Sequence, residues 1–234
     1  MNVLIVFAHQ EPRSFNGALR DIAVQTLSRQ GFTVEVSDLY AEEFEARATA
    51  RDFGKRADNR FFKYQAEQRA AASGGDHSFA ADIAREQERL TRADLVIFQF
   101  PLYWFSVPAI LKGWFDRVLA TGFAYGGGRF FETAPLYGKR ALLSISMGAG
   151  EDRFGPSALY GDMNWILHPI RVGTLNFCGF EVLDHHIVHG PASMTPGERE
   201  HVLKRWQDRL ISLSNEKPLP FARASDFEAA SQRT

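Results

Sequence analysis

Residues 100–109, FPLYWFSVPA, set Tyr103, Trp104 and Phe105 in a row between Pro101 and Pro108. The apolar run ADLVIFQ precedes them and ILKGWFDRVL follows, so the segment reads as the connection from a buried strand to a helix. A large aromatic side chain buries about 150–250 Å² when covered. Leaving three in water forfeits several kcal/mol at ~25 cal/mol per Å². Two kinds of cover account for such a run. One is a neighbouring loop or subunit. The other is a flat heteroaromatic ring, its polar edge bonded to the backbone N–H groups of Trp104 and Phe105.

Two further segments carry chemistry of the same kind. In MGAGEDRFG, residues 147–155, Gly148 and Gly150 permit φ > 0 and close backbone approach. Successive N–H groups can then gather round a partial negative charge, such as the pyrimidine side of a reduced flavin; the plainer reading is a mobile turn. In HQEPRSFN, residues 9–16, a strand gives way to a helix whose free N–H groups and dipole favour an anion. His9, Arg13 and Ser14 can add donors or charge there. Ser14 serves equally as an ordinary helix cap. No GxxxxGK[ST] occurs, and no GxGxxG follows the first strand, which argues against a Walker loop and direct Rossmann-type nucleotide binding.

The elements that position these loops follow from periodicity. Residues 2–8 read as a strand buried on both faces, 16–30 as a helix stopped by Gly31, and 32–37 as a second strand. Residues 45–78 break the rhythm with polar, mixed-charge sequence ending in SGGDHS. Helix 79–92, strand 93–100, helix 108–119 with Pro108 in its first turn, and a fourth strand within 137–146 come next. A helix over 162–176, a fifth strand over 180–188 and an amphipathic helix over 196–213 complete the set. Residues 214–234 form a tail with little core character. Strands alternating with helices predict an α/β fold: a doubly wound, five-stranded parallel sheet, order 2-1-3-4-5, flavodoxin-like, spanning 1–213. Ligands of such sheets sit beyond the carboxyl ends of the strands, where the three loops above lie.

Composition bounds the alternatives. Hydrophobic residues make up 45% and charged residues 24%, ordinary for a chain with a real core, while 20 Phe is unusual. A net charge of −1 offers nothing to nucleic acid or to an anionic membrane surface. The apolar stretches fall short of the roughly 20 residues a membrane span needs. The start, MNVLIVFAHQ, lacks a signal peptide's basic region, and the one cysteine, Cys178, fits a reducing compartment; a cytoplasmic protein is expected. In an extended strand His185 and His189 share one face and His186 faces away, so no metal site is expected. Cys178 reads as a buried, inert thiol.

The segments AHQEPRSFN, SDLYA, ADLVIFQFPLYWFSVPAILKGWFDRV, FAY, GDMN and FCGFEVL closely resemble the NAD(P)H:quinone oxidoreductases of the DT-diaphorase type, over residues 3–213. The resemblance implies a homodimer with FAD, rather than FMN, at its interface. It also implies ping-pong reduction of quinones by NAD(P)H. Carried over by position, His9, Arg13, Ser14, Phe15 and Asn16 would hold the pyrophosphate and ribityl region. Pro101, Leu102, Tyr103, Trp104 and Phe105 would line the isoalloxazine, with Met147, Gly148 and Ala149 at its pyrimidine side and Arg199 near the adenine. Tyr125 and Phe177 of a second copy would roof the substrate pocket over Trp104 and Phe105, and the insert 45–78 would contact cofactor or partner. The family's tyrosine and histidine beside the flavin fall here on Phe154 and Tyr160. Phe154 has no donor and Tyr160 only a phenol, so of the catalytic positions (Gly148, Phe154, Tyr160) Tyr160 alone can donate from its side chain. Gly126, Gly127 and Gly128 replace a bulkier roof segment and predict a wider pocket mouth. The alternatives are a flavin-bound accessory subunit with low turnover and a reductase specialised for azo, nitro or polycyclic quinone substrates.

Overall fold

The computed structural model describes residues 1–58, 60–221 and 223–226. Strands β1 (Asn2–Phe7), β2 (Thr33–Asp38), β3 (Leu95–Pro101) and β4 (Arg140–Met147) form a parallel sheet in the order β2-β1-β3-β4. All seven residues of β3 are buried, as an apolar run between two helical layers requires. Helix α1 (Phe15–Arg29) and helix α7 (Pro196–Ser212) cover one face, around Leu19, Leu27 and Trp206. Helix α3 (Ala81–Arg92) and helix α4 (Ala109–Val118) contribute Leu90, Leu111 and Trp114 to the core on the other.

The predicted fifth strand over 180–188 is instead two pieces, β5 (Glu181–Val182) and β6 (His186–His189), both parallel to β4. Glu181 faces Arg140 but His186 faces Ser144, so the register slips by one residue between the pieces. That extra residue is a bulge at 183–185, and it turns the strand end towards the β4 loop. The helix predicted over 162–176 is also broken. Short turns α5 (Met163–Ile166) and α6 (His168–Ile170) lead into a π-helical stretch, Arg171–Asn176, with Pro169 where a continuous ladder would need an N–H.

The polar insert contains helix α2 (Tyr64–Ser73) and is clamped to its own domain. Arg117 of α4, buried, meets Asp52 through two nitrogens at 3.2 Å each and Asp82 at 2.6 Å. Tyr64 donates its hydroxyl to the same Asp52 at 2.6 Å. A Cβ on Gly113 would sit 2.2 Å from the Ala46 carbonyl oxygen, so only glycine lets α4 approach the insert this closely. Among the described residues, no helix is long and apolar enough to cross a membrane.

Candidate active site

At the end of β1 the chain turns sharply into α1. A Cβ on Gly17 would lie 1.8 Å from the Pro12 carbonyl oxygen, so glycine is what allows the turn to fold back on the helix. Ser14 is the N-cap, its hydroxyl accepting from the Gly17 N–H at 3.2 Å. The cap and the anion reading therefore coexist: Ser14 fills one helical N–H and leaves those of Phe15 and Asn16 free for a ligand. Nδ1 of His9 lies 3.0 Å from the Glu11 N–H and 3.1 Å from the Glu11 carbonyl oxygen, and burial lowers the His9 pKa. Arg13 is exposed and paired with Glu11 at 3.1 Å.

The floor is held by a buried chain of hydrogen bonds. Gln99 Nε2 donates to Asn16 Oδ1 at 2.7 Å, and Asn16 Nδ2 donates to Ser146 Oγ at 2.7 Å. One side chain thereby ties α1 to both β3 and β4.

After β3, Tyr103 and Ser106 exchange N–H···O bonds of 2.9 and 3.0 Å, closing a two-residue turn. Trp104 and Phe105 occupy it with φ of +50° and +58°, the left-handed geometry of a type I′ turn. Such turns favour Asn and Gly; holding two aromatics there costs on the order of 1–3 kcal/mol each. Among the described residues neither amide donates a hydrogen bond, and Trp104 is 95% exposed. No other described part of the chain covers it.

The loop after β4 departs from expectation. Gly148 and Gly150 do not take positive φ; Gly150 stands at −68°. A short 3-10 turn, Glu151–Arg153, brings the loop round so that Phe154 and Tyr160 pack together at 5.5 Å. Tyr160 then meets the edge of Phe105 at 5.5 Å, joining the β4 loop to the aromatic turn. His189, in register with Met147, packs on Phe154 at 5.5 Å and bonds through Nδ1 to the Ala149 carbonyl at 3.3 Å. Its support of this loop had no local signal, because it depends on the bulge.

These loops enclose a cleft of about 570 Å³, a usual size for a small-molecule site. It brings together His9, Arg13, Ser14, Phe15, Asn16, Pro101, Leu102, Tyr103, Met147, Gly148 and Arg199. Trp104, Phe105, Ala149, Phe154 and Tyr160 are outside its lining, and Phe154 lines a different cavity, with His185 and His189. Ala18, Ser146, Pro191, Ala192 and Leu203 line the cleft without having been expected. Arg199 fixes two of these, donating to the Pro191 and Ala192 carbonyls at 3.1 and 3.3 Å. Tyr125 and Phe177 sit elsewhere. They touch at 5.5 Å and line a separate cavity of about 380 Å³, beside Gln65 of the insert.

Cys178 is buried, which pushes its thiol up to about 12 and leaves it unreactive near neutrality. His186 stacks on Trp206 at 4.3 Å, its pKa pushed down to about 3 by burial. His185 and His189 face another cavity on the opposite side of the strand end.

Comparison with known proteins places this architecture. The model of a flavodoxin-like fold family matches residues 1–210. The human ribosyldihydronicotinamide dehydrogenase [quinone] is 48% identical, over 93% of this chain and 94% of the relative. The rat NAD(P)H dehydrogenase [quinone] 1 is 45% identical, over 96% and 82% respectively. The NAD(P)H:quinone oxidoreductase structure from Methanothermobacter marburgensis superposes with a TM-score of 0.72 at 28% identity, over 92% of this chain and 97% of that one. The chain belongs to this flavodoxin-like family. With these relatives it is an oxidoreductase.

Proposed function

We propose that this protein is an FAD-dependent reductase that takes two electrons from NAD(P)H and passes them to a quinone. It works as a cytoplasmic homodimer. The observation that carries the reading is the convergence of the β1, β3 and β4 loops on one cleft at the carboxyl ends of the sheet, with an uncovered aromatic turn at its lip. The donor set suits a flavin dinucleotide. The Phe15 and Asn16 N–H groups, the His9 ring and Arg13 offer a pyrophosphate its hydrogen bonds and counter-charge. The cleft continues past them to Arg199 and Leu203, which supports FAD over FMN because an adenine needs that space. Trp104 and Phe105 present free N–H groups to the ring edge.

When bound, the flavin supplies hydride chemistry, accepting two electrons and releasing them to a second substrate. The chain contributes placement. Met147, Gly148 and Ala149 would hold the pyrimidine side, Phe105 and Tyr160 would bound the face where donor and acceptor alternate, and Tyr125 and Phe177 of the second copy would close it. Tyr160 holds the one side-chain proton donor among the catalytic positions.

The test is the absorption spectrum of the purified protein. A flavin spectrum, bleached anaerobically by NADPH and restored by menadione, with FAD released on denaturation, is expected. Colourless protein that takes up no added FAD sinks the proposal. Parallel assays with NADH, NADPH and ribosyldihydronicotinamide identify the donor.

A further inference from the structure

The tail does more than trail away from α7. Arg140 of β4 donates to the carbonyls of Leu213 and Ser214 at 3.1 and 3.3 Å and bonds Glu216. Leu219 N–H then donates to the Val182 carbonyl at 2.8 Å, and Phe221 packs against the main core. Beyond it, Ala224 and Ser225 aim their backbone N–H groups at the two oxygens of Glu132, at 3.1 and 3.0 Å. Those amides hold the Glu132 carboxyl at about 2, so the grip is fully ionised at working pH.

Glu132 closes a segment built from a tight turn and a capped 3-10 turn. Gly126, Gly127 and Gly128 precede it with φ of +120°, +63° and +79°, and the last two have open space where a Cβ would be. Gly126 and Arg129 exchange N–H···O bonds of 3.2 Å each across that run, whose glycines add no side-chain packing of their own. Phe130 and Phe131 follow, packed on Phe177 at 5.4 and 5.6 Å, with Phe131 N–H donating to the Phe177 carbonyl at 2.9 Å. Phe177 is the ring that meets Tyr125 in the aromatic cavity. Beneath the tail a cavity of about 210 Å³ remains, lined in part by Phe131, Glu132 and Phe221. Beyond Phe221, the attachment to this segment rests on the two bonds to Glu132.

We propose that the tail is a strap whose grip on Glu132 fixes Phe130, Phe131 and Phe177, making Glu132 a positioning residue that sets which quinones the aromatic pocket admits. This rests on the reductase reading above, in which Tyr125 and Phe177 roof the pocket. With the strap held, compact quinones fit the narrow roof; with it released, the glycine run yields and bulky fused-ring quinones gain.

The test pairs Glu132→Ala with Glu132→Gln, which retains an acceptor. Steady-state KM and kcat for menadione and for phenanthrenequinone are measured beside hydrogen exchange at residues 130–131 and 223–226. In Glu132→Ala the ratio of KM for phenanthrenequinone to KM for menadione should fall about fivefold, with kcat held within about twofold. Exchange should quicken in both segments, and Glu132→Gln should fall between Ala and wild type. An unchanged KM ratio despite a released tail overturns the selection role. Fast exchange at 223–226 in wild type, or slow exchange at 130–131 in Glu132→Ala, overturns the strap. Wild type without flavin or turnover is the separate failure of the reductase reading and ends the selection role with it; exchange then still decides whether the strap exists.

Discussion

On the α1 side of the cleft, Asn16 is buried and bonded in both directions, to Gln99 and to Ser146, each at 2.7 Å. On the β3 side, Trp104 is 95% exposed on a left-handed backbone. The first arrangement is complete before anything binds. The second spends backbone strain to hold an apolar ring and two free amides in the open. Strained geometry persists where surrounding structure over-determines it, and here the Tyr103–Ser106 bonds do so. A resident cofactor needs a rigid seat for its phosphates, and its reactive ring needs a surface that reactants can reach. On the proposed reading, the two sides divide those tasks.

The contrast breaks most visibly at the seat. Asn16→Leu leaves the Gln99 amide and the Ser146 hydroxyl buried without their partner. Each buried group left unpaired costs about 1–3 kcal/mol, so the melting temperature should drop by several degrees and the flavin should be lost. Wild-type melting with full flavin content would mean that the hydrogen-bonded floor positions nothing. Trp104→Ala sharpens the comparison from the other side. The ring touches little of its own chain, so stability should hold within about 0.5 kcal/mol. Flavin retention or quinone turnover should fall all the same. Unaltered retention and turnover would remove the aromatic turn from the site.

How much of this was legible in sequence follows the same division. Continuous apolar strands and amphipathic helices announce themselves locally, and the strand ends then indicate where the loops must meet. The Asn16 chain was not legible as a chain, because its partners lie 83 and 130 residues away. Glycine was a misleading guide to left-handed backbone here. Gly148 and Gly150 avoid it, while Trp104 and Phe105 adopt it, because the two-residue turn imposes the dihedrals whatever residues fill it. The bulge at 183–185 adds one residue to the mixed stretch FEVLDHHIV, whose alternation is too irregular to mark a slip of that size. The tail looked structureless because much of what holds it is its backbone, met by Arg140, Val182 and Glu132 from far away in sequence, and its one core ring, Phe221, makes no periodic pattern; its expected extent, 214–234, includes residue 222 and residues 227–234, outside the described residues.

The smallest expected effect concerns the faces where seat and turn meet. Phe154 and Tyr160 touch each other and Tyr160 touches Phe105, all at 5.5 Å. Phe154 brings packing without a donor, and a phenol parts with a proton far less readily than an imidazolium does. An imidazole at position 160 can carry a proton in the physiological range, and a hydroxyl at 154 adds a second donor to the reduced ring. General acid–base assistance reaches 10²–10⁴-fold when geometry is ideal, but the loop here has packed round two hydrophobic partners. Phe154→Tyr with Tyr160→His should therefore speed flavin reduction by NAD(P)H by about three- to tenfold in stopped-flow traces, short of that ceiling. Because both swaps keep an aromatic ring at their own position, melting should stay within a degree or two of wild type. If reduction is no faster while the fold is intact, proton supply at these positions does not limit the reaction. Placement by the seat and the turn would then account for the rate without them.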